Sequence, residues 1–273
     1  MTRSSKKATA TTRMGSWRNP PLAYVVAEVR FSPYLTIDRH VPEFQADIRK
    51  QFPRTQEANI LRFEFTNNQP GAVQDKAWRF FTESQRIGID LSARAMALHA
   101  TEYKNFETFR ETVALMLKTA EKTFPDLLVE QLGLRYIDYI LPKKNESVSD
   151  YLVESLRGLQ PVGAPQMDQA YFIAHYPFNI GGVNIRVVPR LASGIHFPPN
   201  FGPIEVALGD IMVEAQRRAQ SQELIGCIDT DRLLPIGRKL VAEELADAFT
   251  LMHNDVSLFF NGAISKKAKE IWM

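Results

Sequence analysis

The stretch Asn19–Phe31, NPPLAYVVAEVRF, decides how the rest of the chain is read. Pro20 and Pro21 hold the entering backbone extended, and a two-residue alternation follows. Ala23, Val25, Ala27, Val29 and Phe31 make one wholly apolar face, while Leu22, Tyr24, Val26, Glu28 and Arg30 make the other. A strand with one apolar and one charged face belongs to an antiparallel sheet packed on one side and solvated on the other. Glu28 and Arg30 then share the face turned away from the core.

The same reading extends along the chain. Val41, Phe44, Ile48 and Phe52 mark the buried side of a short helix that Pro53 ends. NILRFEFT and AWRFFTES predict a hairpin around the turn-rich NNQPGAVQD, and RIGIDLSARAMALHATEY continues as one strand or as two broken near Ser92. Phe106, Phe109, Val113, Met116, Leu117, Ala120 and Phe124 predict a helix over 105–124, with Pro125 beyond its end. VEQLGLRYIDYIL returns as strand, and Ser147 or Ser149 is placed to cap a helix reaching Leu156.

GLQPVGAPQ, around 158–166, reads as a boundary. Beyond it a hairpin turns on Gly181-Gly182, SGIHFPPNFGP is an irregular loop, and a long helix is expected from Val241 to Phe260, stopped by Asn261-Gly262. Strands precede a long helix in both parts. The fold class expected is therefore α+β, with antiparallel sheets, long amphipathic helices packed on one face and two similar halves. The organisation is a disordered basic tail at 1–18, one half over 19–158 and a second over 167–273, or else a single interlocked domain.

Composition narrows the function classes. Of 273 residues 45% are hydrophobic and 23% charged, ordinary globular proportions. The lone Cys227 cannot close an internal disulfide. No apolar run nears the roughly 20 residues that span a bilayer, and the N-terminus lacks a signal-peptide core, so a cytoplasmic protein without a membrane partner is expected. The net charge of +2 divides unevenly. Arg3, Lys6, Lys7, Arg13 and Arg18 give the first 18 residues +5, and the remainder carries 28 basic and 31 acidic residues. Such a tail is a candidate nucleic-acid arm or a plain disordered segment, and a start at Met14 would remove most of it.

Phosphate loops, dinucleotide fingerprints, HExxH and GxSxG motifs are missing. The five histidines lack ligand spacing, and one cysteine excludes a Cys-rich zinc site. No cofactor and no catalytic residue are expected. What remains is charge set in strands. Tyr24, Glu28, Arg30, Arg135, Asp138 and Tyr139 are candidate recognition or structural residues, with Glu28–Arg135 or Arg30–Asp138 as cross-strand pairs. Arginine and tyrosine are enriched where surfaces bind, so the same face would serve as a ligand or peptide platform. An alternative gathers Glu28, Asp90, Asp138 and Asp229 around a divalent metal for nuclease-like or nucleotidyl chemistry. On the last long helix, Leu245, Phe249, Met252, Val256 and Phe259 keep steps of four and three, a stripe that serves either the core or a homodimer interface.

NPPLAYVVAEVRF, LGLRYIDYI and EELADAFTLMHNDVSLFFNGAI together resemble a sporadically distributed bacterial family of uncharacterised proteins of about this length. Its members open on an N-P-P-L strand with an E-x-R pair, carry an R-x-G-L-R-Y-I-N-like strand and close on a helix ending F-x-x-x-I. Asp138 stands here where that pattern has asparagine, and Tyr24 where it has an acid. The resemblance covers the chain from residue 19 on. It implies a bacterial accessory protein of a mobile-element, phage-defence or toxin–antitoxin setting, and no particular reaction. The expected function is non-enzymatic binding of a protein partner.

Overall fold

The strand that opened the reading, β1 (Leu22–Phe31), lies at the middle of an antiparallel sheet that has nine strands among the described residues. The computed structural model describes residue 17 and residues 19–66, 69–159, 163, 170–190, 206–221 and 223–272, leaving aside the side chains of 60–75 and 189–190. Within them the strands are β1, β2 (Arg54–Thr66), β3 (Gln69–Phe81), β4 (Ile87–Ser92), β5 (Ala95–Ala100), β6 (Leu128–Ile140), β7 (Ala170–Pro177), β8 (Gly182–Arg190) and β9 (Gly226–Lys239). They stand in the order β2-β3-β4-β5-β1-β6-β9-β8-β7.

Parts before and after the expected boundary at 158–166 share this sheet. β6 runs beside β9 from Leu128↔Lys239 to Ile140↔Gly226, so the hydrogen-bonded ladder passes from one to the other without a break. The expected basic tail at 1–18 lies outside the described residues except for Trp17. That side chain is buried, its ring 5.5 Å from Phe260 and 6.3 Å from Trp272. The chain is thus already folded at residue 17.

The inner face of the sheet carries most of the core. Val25, Ala27, Val29 and Phe31 of β1 join Leu132, Leu134 and Tyr136 of β6 in one buried cluster. Three helices lie over it: α1 (Ile37–Ile48), α2 (Phe106–Thr123) and α4 (Ala242–Ala263). α2 starts where Asn105 accepts a hydrogen bond from the Thr108 amide at 2.9 Å, which satisfies one of the amides a helix start leaves open. α4 turns Leu245, Phe249, Met252, Val256 and Phe260 onto the sheet. Each such side chain contributes about 1.5–3 kcal/mol when fully buried. The short α5 (Lys266–Trp272) brings Trp272 back against Trp17.

One helix departs from the expected one-sided layout. α3 (Asp210–Gln220) packs Met212, Ala215 and Ala219 on the outer face, with Ala23, Tyr24, Ile137, Tyr139 and Cys227. Its sequence is rich in charge and shows only this narrow apolar side, which hides it among loop residues. A β-bulge makes room for part of this cluster. The β1–β6 register shifts between Leu22 and Tyr24, so Ala23 joins Tyr24 on the outer face and Leu22 goes inward. Strict alternation had placed both the other way, and one extra residue reverses it.

The β7–β8 turn is held from below. Arg232, 5% exposed, donates to the carbonyls of Ile180 and Gly182 at 3.1 and 3.4 Å and pairs with Asp255 of α4 at 2.9 Å. Gly181 has φ +72°, and a Cβ there would stand 2.1 Å from the Leu233 carbonyl oxygen. Only glycine fits that turn.

Candidate functional site

Past the end of α3, the outer face becomes an open trough of about 460 Å3 that crosses β5, β1, β6, β9, β8 and β7. The two-residue period of each strand sets its floor. β1 contributes Tyr24, Val26, Glu28 and Arg30, and β6 contributes Gln131, Gly133 and Arg135. β9 adds Asp229, Asp231 and Leu233, β8 adds Asn184 and Arg186, and His99 and Ile173 reach in from β5 and β7. Gly133 sits opposite Glu28 on one side and Leu233 on the other, and a side chain at that position would project between them. Its bare backbone keeps the middle of the trough deep.

Charge in the trough is internally matched. Arg135 grips Asp229 with both arms, Nε to Oδ1 and Nη2 to Oδ2, each at 2.7 Å. Arg186 donates a third bond to the same carboxylate at 3.1 Å. The Asp229 side chain is 4% exposed. A planar fork of two parallel bonds is the geometry that sustains a buried ion pair. Burial alone would lower the Arg135 pKa, but its hydrogen bonds and charge contact with Asp229 raise it instead. Nearer the rim, Arg30 Nε donates to Glu28 Oε2 at 2.8 Å. Arg30 is exposed and Glu28 half-buried there, so solvent screening holds this pair to at most about 1 kcal/mol.

Asp231 lies in register between Arg135 and Asn184. Burial pushes its pKa up to about 6; Arg135 and Arg186 pull it down, and Asp229 and Glu28 raise it further. A second polar run leads away from the trough. The Tyr24 hydroxyl meets His99 Nδ1, His99 Nε2 lies 3.8 Å from Asp90 Oδ2, and Arg79 Nε reaches the same oxygen at 3.4 Å. Phenol, imidazole and carboxylate follow in order, yet Tyr24 is 2% exposed, and the imidazole–carboxylate gap exceeds hydrogen-bond length. The run lines the edge of the α3 cluster.

The residues expected from the sequence divide between the two faces. Tyr24, Glu28, Arg30 and Arg135 are brought together in the trough. Tyr139 shares their face but is buried with the α3 cluster. Asp138 is on the other face, 1% exposed among core side chains. Both expected cross-strand pairs give way to others. Glu28 bonds Arg30 along its own strand, and Arg135 turns to β9. Arg30 is opposite Gln131, whereas Asp138 is opposite Leu22 at the far end of the ladder.

The same separation disperses the four carboxylates of the metal alternative. Glu28, Asp90 and Asp229 lie on the outer face and Asp138 beneath the sheet, and among the described residues no three His, Cys, Asp or Glu side chains come together as a metal site. On α4 the stripe Leu245, Phe249, Met252 and Val256 is buried in the chain's own core, and Phe259 packs on Tyr176 at 4.7 Å between ring centroids. It offers no free interface. His253 is likewise internal, stacked on Phe106 at 3.8 Å with Nδ1 3.0 Å from the Tyr136 hydroxyl. Buried Cys227 has its pKa raised by burial and then by Asp229 and Asp138, which leaves it an unreactive thiol.

Arg186 and Asn184 escaped the sequence reading. Their signal was a polar residue at every second position of VNIRVV, visible only once that segment is paired with β9. The strand beyond β8 adds the remaining feature. Among the described residues β7 ends the sheet, carries no Asp, Glu, Lys or Arg and exposes Tyr171, Phe172, Ile173 and Tyr176. Edge strands are ordinarily guarded by charge, proline or a covering element. No protein-family model and no curated protein matches the chain. Among the described residues no helix is long and apolar enough to cross a membrane. Fold and site together define an α+β protein built on a single antiparallel sheet, with a charge-matched trough beside an uncharged edge strand.

Proposed function

We propose that the protein is a non-enzymatic binding protein that docks an extended segment of a protein partner along β7 and into the adjoining trough. One observation carries this reading: the uncharged, exposed edge strand forms a wall of the trough, through Ile173. A strand added to β7 gains main-chain hydrogen bonds, and its alternate side chains fall over the trough, the two elements of β-strand addition. Paired charges suit recognition better than catalysis. Arg135, Asp229 and Arg186 hold one another in fixed positions, and none is presented as an unpaired nucleophile or base.

The parts over 19–158 and 167–273 act in this reading as one binding unit, since the trough draws on β1, β5 and β6 from the first and on β7, β8 and β9 from the second. A buried free thiol at Cys227 suits a reducing, cytoplasmic setting.

The test is capture by the tagged full chain at physiological salt, with cross-links mapped onto the chain. A stoichiometric protein cross-linked beside β7 is expected, with capture reduced by Ile173→Lys and by Glu28→Gln with Arg30→Gln. Capture that ignores both variants, recovery of nucleic acid alone, or self-association in place of a partner would each refute the proposal.

A further inference from the structure

Beneath the sheet, away from the trough, a small chamber of about 10 Å3 is lined by Trp17, Pro20, Pro21, Leu22, Tyr103, Asp138 and Phe260. Three of these residues carry buried polar atoms without a hydrogen-bond partner: Trp17 Nε1, the Tyr103 hydroxyl, and both carboxyl oxygens of Asp138. The Tyr103 hydroxyl is near that of Tyr136 but makes no hydrogen bond of ordinary geometry with it. Buried polar groups are almost always satisfied. Each one left alone is destabilising, so several on one chamber wall mark a place built for a guest.

The chemistry of the wall selects that guest. An indole N–H can only donate, a phenol donates or accepts, and a carboxyl offers an acceptor in either protonation state. A guest touching all three must therefore accept from Trp17, and it can donate to Asp138 whatever the carboxyl's protonation state. An alkali cation cannot accept a hydrogen bond and would face the positive end of the indole N–H. An ammonium ion has no acceptor. Water fits, and a cavity of roughly 10–15 Å3 is what one molecule needs. We infer that this chamber is a specific site for a single long-lived water molecule, which accepts from Trp17 Nε1 and donates to Asp138 and Tyr103.

Three bonds are the usual number for a buried water. These would tie the chain's entry at Trp17 to the end of β6 and to the segment leading into α2. The direct bond from the Asn19 amide to the Trp272 carbonyl, 3.2 Å, holds the same entry from its other side. The water would complete this anchorage.

The Trp17 indole proton reports on it directly. In the 15N-labelled full chain it can be told from those of Trp78 and Trp272 by single Trp→Phe replacement at those two positions. The expected result is a water cross-peak at this proton with the sign of a slowly exchanging, protein-bound water. It should persist in Asp138→Asn and vanish in Asp138→Leu, whose side chain fills the chamber. No long-lived water peak in the unmodified protein would overturn the inference, with no need of a variant. So would a thermal midpoint that rises when potassium or ammonium replaces sodium at constant ionic strength, since that result means a cation site.

Discussion

Replacing Asp138 with asparagine isolates the electrostatic cost of a buried carboxyl, because the shape hardly changes while the ionisable proton is removed. Burial raises the Asp138 pKa well above its ordinary 3.8, and Asp229 raises it further. The folded protein therefore keeps a proton at Asp138 that the unfolded chain releases as pH passes 3.8. Stability from this group is complete below that pH and is lost as pH rises towards the folded pKa, by about 1.4 kcal/mol per pH unit. The loss grows with the gap between the folded and unfolded pKa values, and burial sets its direction. Asparagine is neutral throughout and escapes it. Urea unfolding at pH 4.5, 6 and 7.5 should show Asp138→Asn close to the unmodified protein at the lowest pH and increasingly more stable above it. An asparagine variant less stable at pH 7.5, or a difference constant with pH, would refute the argument that the buried group is held neutral.

Other substitutions probe the two faces separately. Arg135→Ala leaves Asp229 buried with only the single bond from Arg186, and should cost about 3 kcal/mol or more in urea unfolding at pH 7. Asp231→Asn removes a carboxyl whose pKa is raised to about 6; the unmodified protein should lose stability between pH 4 and 6 relative to the variant, by at most about 3 kcal/mol. Gly181→Ala forces a Cβ against the Leu233 carbonyl oxygen at positive φ, so a loss above about 1 kcal/mol is expected in thermal unfolding. Trp17→Ala empties a site between Phe260 and Trp272 and should cost about 3–5 kcal/mol.

How much of this was legible depended on whether the information was local. The ends of β1 and the span of α2 follow from periods of two and 3.6 with proline and asparagine punctuation, and the structure places them within a residue of the reading. The trough side of β1 was legible for the same reason, since Glu28 and Arg30 must share a face. Their partners were not. Asp229 reaches Arg135 across 94 positions of sequence, and nothing in either segment states that β6 and β9 are neighbours. A single bulge at Ala23 was enough to reverse the expected sides of Leu22 and Ala23. The helix α3 was hidden by its charge, and the full reach of the expected β2–β3 hairpin by turn-forming residues. Asn67 to Asp75 read as one loop, yet pairing runs on to Thr66↔Gln69, because each strand there needs only the other.

Asp138 shows where sequence proximity misleads and alternation does not. It lies three residues from Arg135 in the same strand, so sequence proximity groups it with the trough residues. Three is an odd number, and an odd step in a strand crosses the sheet. The step carries Asp138 from a face where a charge finds arginines to one where it finds Trp17, Tyr103 and Phe260. Burial then works against the charge that made it a candidate, since it raises the Asp138 pKa and favours the neutral carboxyl. Outer-face charge and inner-face carboxyl thus answer to different constraints: Arg135 and Asp229 fix each other in the floor of the trough, and Asp138 is buried on the far side of the same strand.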